Sequence, residues 1–321
     1  MAARHVRGGG FSAMRLDRIL LLAVFLAPGL ARATFSIVAC DADGSCGAAV
    51  ATNNLAVGAS VIYAQADVGA LATQFETNPH YGPKGLALMA AGAKPQSALD
   101  RLLAEDGDFE GDTVAARQVG LVNLAGDSAS YTGKEASESP WAGALSGKGY
   151  SIQGNGLAGP HVLGAMRDAF RTGNGPFADR LLAALEAGQA AGGQSTGKLS
   201  AALLVRTREG DWQDIDLRVD ASLAPLPDLR KLLGMHEANG VLARAGRALR
   251  GGHPEQARAA IAEAQRLAPG WDRVWRRSAR LDMQLGDRAA AQAALAEMEK
   301  VNPVWAATEK ADPLYRPSPA K

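Results

Sequence analysis

Apolar positions change their rhythm once along this chain. Up to about residue 220 they fall in short, β-branched or alternating runs broken by helical stripes; beyond that only stripes remain. Two such runs, TFSIVAC (34–40) and CGAAVAT (46–52), flank the turn DADGS (41–45) and predict a hairpin. VGALATQF (68–75) predicts a third strand. QVGLVNL (118–124) and SASYTG (128–133) form a strand-turn-strand, and GYSIQG (149–154) a short strand. LSAALLVR (199–206) and DIDLRV (214–219) close the series. Between them lie helices over 85–91, from Pro95 through 105, over 160–171 and over 176–189, the last with a Leu181/Leu182/Leu185 stripe. Hairpins followed by helix pairs suit helices layered on antiparallel sheets, an α+β arrangement, better than a parallel βαβ series.

From about Leu226 the pattern is helix only. All seven phenylalanines precede residue 178, whereas Trp271, Trp275 and Trp305 lie in the tail. This shift sets domains of 34–222 and 223–321, with APLPD (224–228) as linker. The tail repeats every 34 residues: Gly252 with Gly286, Ala257 with Ala291, Ile261 with Leu295, Ala264 with Met298, Pro269 with Pro303. The spacing resembles the tetratricopeptide pattern of stacked helical hairpins. Two repeats are fewer than such arrays need, so they should lean on the first domain or on a partner subunit.

Residues 14–33, MRLDRILLLAVFLAPGLARA, have a basic start, an apolar run and a small-x-small site at Ala31-Arg32-Ala33, the three parts of a secretory signal. The run is too short to span a membrane. Met14 serves such a signal as a start as well as Met1. Removing residues 1–33 takes away five arginines and one aspartate. The formal charge of +1 then becomes −3, from 29 basic and 32 acidic residues. No electrostatic case for nucleic acid remains, and the expected location is exported, periplasmic or secreted, with no membrane attachment after cleavage. Cys40 and Cys46, the only cysteines, sit at either end of the hairpin loop. If the strands pair, they lie opposite each other within disulfide reach, where export permits oxidation.

Cleavage after Ala33 would make Thr34 the first residue. A threonine there carries a hydroxyl and a free α-amine, whose ordinary pKa of about 7.7–8.0 leaves a useful fraction unprotonated near neutral pH. The amine can take the hydroxyl proton directly or through a water, and acyl transfer from an amide to Thr34 Oγ1 is the natural reaction. The same position is equally what a signal peptidase leaves behind in a protein with no such chemistry.

The runs TFSIVAC, AVAT, VGALATQF, NPHYGPKGLALMAAG, YTG, GYSIQGNGLAGPHVL and LLAALEAGQAAGGQSTGKLSAALLV, in this order over about 34–220, resemble a bacterial domain-of-unknown-function family assigned to the N-terminal-nucleophile (Ntn) hydrolases. That resemblance implies a four-layer αββα sandwich and an N-terminal Thr, Ser or Cys nucleophile with its own amine as base. The threonine of the family's opening T-F-S falls on Thr34. The supporting lysine known from proteasome subunits has no assignable position here.

Around the nucleophile, Asn155 and Gln153 are the first choices for polar site residues, at a strand end beside a glycine turn. Thr73, Gln74, Ser128 and Thr132 on strands, and Asn78 and Tyr81 on a rigid loop, are candidate substrate contacts. The histidines at 80, 161, 236 and 253 lack metal-ligand spacing, and no phosphate or dinucleotide fingerprint occurs; no metal or cofactor is expected. The reading is an exported N-terminal-threonine amidohydrolase or peptidase cleaving a small amide or peptide, with a helical tail for a protein partner or self-association. The alternative is a non-enzymatic periplasmic binding or scaffolding protein on a degenerate Ntn fold.

Overall fold

The structure, a computed structural model, describes Met1, residues 33–210 and residues 213–316. Residues 2–32, which hold most of the expected signal segment, lie outside them. Residues 33–316 belong to one compact unit. The described strands are β1 (Thr34–Cys40), β2 (Cys46–Thr52), β3 (Ile62–Gln65), β4 (Gly69–Phe75), β5 (Arg117–Asn123), β6 (Ser128–Thr132), β7 (Gly143–Gly147), β8 (Tyr150–Asn155), β9 (Ser200–Arg206) and β10 (Ile215–Val219). The helices are α1 (Tyr81–Ala90), α2 (Pro95–Ala104), α3 (Lys134–Ser137), α4 (His161–Thr172), α5 (Phe177–Ala190), α6 (Pro225–Arg250), α7 (Pro254–Leu267), α8 (Asp272–Gln284), α9 (Arg288–Val301) and α10 (Pro303–Lys310).

Two antiparallel sheets result, ordered β10-β9-β2-β1-β8-β7 and β3-β4-β5-β6. Strand alternation sorts their side chains into three cores. Phe35, Ile37, Ile152 and Leu203 meet Leu163 and Met166 of α4, Leu181 and Leu185 of α5, and Leu226, Leu229 and Leu233 of α6. Their neighbours of opposite parity, Val38, Ala48, Val50 and Leu204, face Ala70, Ala72 and Val122 of the second sheet. On that sheet's far side Leu71, Val119 and Leu121 pack under Leu86, Leu99 and Leu102 of α1 and α2. The two sheets thus lie face to face with helices on both outer faces.

Two strands carry little sequence signal. β7 is built of small, partly exposed residues, GALSG, and β3 is four residues long. Helix α1 begins at Tyr81, a turn earlier than expected, because Pro83 falls in its first turn, where a missing N–H costs nothing. APLPD is not a linker: Pro225 and Pro227 lie in the first turn of α6. That 26-residue helix packs its first turns on the sandwich and its later ones, from Ala238 to Ala245, on α7 and α8.

The 34-residue spacing is a structural repeat. Gly252 and Gly286 both adopt φ 75°, left-handed turn positions suited to glycine, between α6 and α7 and between α8 and α9. Ala257 and Ala291 are both fully buried, as are Ala264 and Met298. Cys40 and Cys46 are register partners and form the expected disulfide, with Cα atoms 4.1 Å apart. Among the described residues, no helix is long and apolar enough to cross a membrane.

Candidate functional site

β1 is a central strand, and its first residue is paired on both sides: Thr34 opposes Thr52 on β2 and Asn155 on β8. Because Thr34 shares its parity with Ser36 and Val38, its side chain enters the space between the sheets. There apolar packing gives way to a continuous polar chain.

The Thr34 amide nitrogen donates to Asn155 Oδ1 at 3.1 Å, and Thr34 Oγ1 lies 3.1 Å from Thr52 Oγ1. Thr52 has one hydroxyl proton and gives it to the Ala33 carbonyl at 2.8 Å. In this arrangement Thr34 is therefore the donor in the hydroxyl pair. The Ala33 oxygen also accepts from Gln194 Nε2, on the loop after α5. One carbonyl, immediately before Thr34, is thus held by two side-chain donors. Ala33 is fully buried, Thr34 is 4% exposed, and Gly156 (φ 61°) runs so close that a Cβ there would meet Ala33 Cβ.

The chain continues inward. Asn155 Nδ2 and Gln74 Nε2 both donate to Gln118 Oε1 at 2.8 Å, and Gln74 Nε2 also reaches the Thr34 carbonyl at 3.3 Å. Gln118 Nε2 donates to Thr132 Oγ1 (3.1 Å) and the Gly154 carbonyl (2.9 Å). Ser36 Oγ donates to Gln74 Oε1, and Gln153 Nε2 donates to Ser36 Oγ, both at 2.6 Å. These groups are buried and mutually satisfied, so the network fixes the amide orientations around Thr34. One atom is left over: Gln194 Oε1 is buried with no partner among the described residues.

Of the sequence candidates, Asn155 touches Thr34 directly, Gln74 touches its carbonyl, and Thr132 is one link further through Gln118. Gln153 lies deeper, on Ser36 and against Gly120, and does not reach Thr34. Thr73 has the opposite parity to Gln74 and its buried hydroxyl finds no partner among the described residues. Ser128, at the far end of β6, bonds the Gly147 carbonyl. Asn78 and Tyr81 are committed elsewhere: their side chains donate to Asp106 Oδ2 at 3.0 and 2.6 Å. Burial alone would push the Asp106 carboxyl up, but hydrogen bonds from Arg117, Tyr81 and Asn78 outweigh it and hold it below the usual carboxylate range. Burial and Asp106 push the Tyr81 hydroxyl far up. His80 stacks edge-on against Phe109, 5.2 Å between rings.

Four participants escaped the sequence reading: Ser36, Thr52, Gln118 and Gln194. Past Thr52 and Gln74, at the same end of the sandwich, a cavity of about 330 Å³ is walled by Asn54, Phe75, Glu76, Thr77, Phe109 and Glu110. Phe75 stands there at φ 68°, a costly conformation for a bulky side chain.

The matched family covers residues 34–229 and is described as a family of unknown function, DUF1028. The chain belongs to the DUF1028 family. Its first matched residue is Thr34, and its last falls in the part of α6 that packs on the sandwich. A crystal structure of a DUF1028 protein, SPO2555 from Silicibacter pomeroyi, is similar with a TM-score of 0.56 at 33% identity, over 63% of this chain and 84% of that one. No protein of curated function matches. The helical hairpins after residue 229 lie outside the family match.

Proposed function

We propose that this DUF1028 chain is an exported amide hydrolase of the Ntn type, with Thr34 as nucleophile once residues 1–33 are removed. The observation that carries the reading is the Ala33 carbonyl, held between Thr52 Oγ1 and Gln194 Nε2 next to the Thr34 hydroxyl. A substrate carbonyl occupying that position would find two donors ready for a developing oxyanion. The Thr34 nitrogen, then an amine, is held by Asn155 Oδ1 and takes the hydroxyl proton directly or through a water. Oγ1 attacks the substrate carbonyl, the C–N bond breaks, and the proton leaves with the departing amine. Water then hydrolyses the Thr34 ester and restores the hydroxyl. The unpartnered Gln194 Oε1 suits an N–H of the substrate, and the cavity at the same end of the sandwich has room for a small amide or peptide.

The signal-like leader and the Cys40–Cys46 disulfide support an oxidising, exported location. The two hairpins at 34-residue spacing support a tetratricopeptide-like region for a protein partner or self-association. A second reading, a binding or scaffolding protein with the fold and no chemistry, is favoured by the burial of Thr34 beneath Ala33.

Intact-mass and N-terminal analysis of the exported protein, before and after a β-lactone, separates the two. The hydrolase reading expects Thr34 as first residue and one adduct, absent in Thr34→Ala. A chain beginning elsewhere, or one starting at Thr34 that takes no adduct, overturns it.

A further inference from the structure

The helical region opens a cleft of about 450 Å³ between α6 and α8. Leu242, Ala243 and Gly246 of α6 and Leu281 of α8 make an apolar floor, and Arg247, Arg250, Arg277 and Arg280 surround it. The positions follow helical spacing, so both helices turn one arginine-bearing face to the same space. Among the described residues, no carboxylate lines the cleft.

Elsewhere three of the four arginines of these helices are matched with acids, and the fourth, Arg273, lies over the Trp305 ring. Arg230 meets Asp179 and Glu186, Arg244 meets Glu263 at 2.6 Å, and Arg276 meets Glu309 at 2.6 Å. Within the cleft only Arg280 is matched, by Glu309 and by Asp312 at 2.7 Å. Arg277 bonds the neutral Asn239 Oδ1, and burial pulls its guanidinium below its ordinary value. Arg247 and Arg250 are exposed and have no ion pair or hydrogen-bond partner among the described residues. Three guanidiniums that line one cleft with no paired carboxylate leave their like charge uncompensated there, although Arg247 also borders the cavity that holds Glu263, and one of them, Arg277, is also desolvated. An anion supplied from outside removes both costs.

We propose that the α6–α8 cleft binds an acidic peptide segment, its carboxylates on Arg247, Arg250 and Arg277 and its apolar atoms on the Leu242–Leu281 floor. Guanidinium forks match carboxylates with two parallel hydrogen bonds each. The apolar floor distinguishes a peptide from a free inorganic anion, which would leave it uncovered. Gln284 at one end and Asn239 beside Arg277 offer amides to a peptide backbone. This site is independent of Thr34 and of any hydrolysis there.

The test is fluorescence anisotropy of a fluorescein-labelled (Asp-Glu)3 peptide against the full chain. A (Lys)6 peptide and a single-stranded oligonucleotide run as separate arms, and inorganic phosphate as competitor. Binding of the acidic peptide that weakens with salt is expected, together with about a tenfold or greater loss in Arg247→Glu/Arg250→Glu. Arg266→Glu, an exposed change on α7, should leave binding unaltered. Arg247→Gln/Arg250→Gln, checked by its melting curve, covers the case in which charge reversal disturbs the fold. Retained binding in both double variants, tighter binding of the oligonucleotide, or full displacement by millimolar phosphate would each overturn the proposal.

Discussion

Thr52 uses one hydroxyl three times: it accepts from Thr34 Oγ1 and from the Asn54 N–H, and donates to the Ala33 carbonyl. Its full hydrogen-bonding capacity is spent at the candidate site. Thr52→Val keeps the shape and strands the Thr34 hydroxyl, so unfolding by urea should show a loss of about 1–3 kcal/mol, which Thr52→Ser should restore. If the hydrolase reading holds, Gln194→Ala on the processed protein should lower kcat by about 10²-fold or more while the β-lactone adduct still forms slowly; an unchanged kcat would remove Gln194 from the mechanism. Thr52 was legible in principle. With Cys40 opposite Cys46, counting outward along the hairpin brings Thr52 opposite Thr34. Gln194 was not, because it stands on an aperiodic loop 160 residues away, which reaches the start of β1 through the pairing of β9 with β2 and through its own bridge to Leu157 after β8.

At the scale of elements, what was legible followed from period. The long apolar strands β1, β2, β5 and β9 and the striped helices α4 and α5 lie close to where alternation or 3.6-residue spacing sets them. β7 escaped because its small residues alternate too weakly. The loop between α2 and β5 has no period at all, and it is anchored by Arg117, 1% exposed, on Asp106. Arg117 also donates to the carbonyls of Glu76, Phe109 and Asp112, so one guanidinium holds three walls of the cavity lined by Phe75 and Phe109. Asp106→Ala should cost about 3–5 kcal/mol in denaturant unfolding, since it leaves that charge buried without its counter-ion. The Asp106 carboxyl is held low in the folded state. Its contribution is therefore present above the ordinary carboxylate range near pH 4 and lost as pH falls through its depressed value. Acid titration of stability should lose this component in the variant.

For the whole molecule, the decisive element is α6, which serves two cores with one continuous helix. Composition marks a change near residue 225, but it does not reveal that the same helix belongs to both sides of that change. Where α6 leaves the sandwich, Glu237 faces Asp179 of α5. Burial first, and then the hydrogen bond and charge of Asp179, push the Glu237 carboxyl up to about 8, against the pull of Arg230. Folded protein therefore keeps a proton that unfolded chain releases, and stability should fall as pH rises from about 4.5 to about 8. Melting curves of Glu237→Gln should show a flatter slope over that window than the parent chain. Parallel slopes would mean that the seam does not titrate.

The burial of Ala33 sets an order in time. With β1 clamped between β2 and β8, the bond before Thr34 is inside the protein, its carbonyl covered on two sides. A peptidase working from outside can reach that bond only while β1 is still undocked, as the chain emerges and before the sandwich closes. If residues 1–33 are removed, as the hydrolase reading requires, processing and folding are competitors: a chain that folds first buries the bond before Thr34, and a chain cut first folds with an open seat where Ala33 had been.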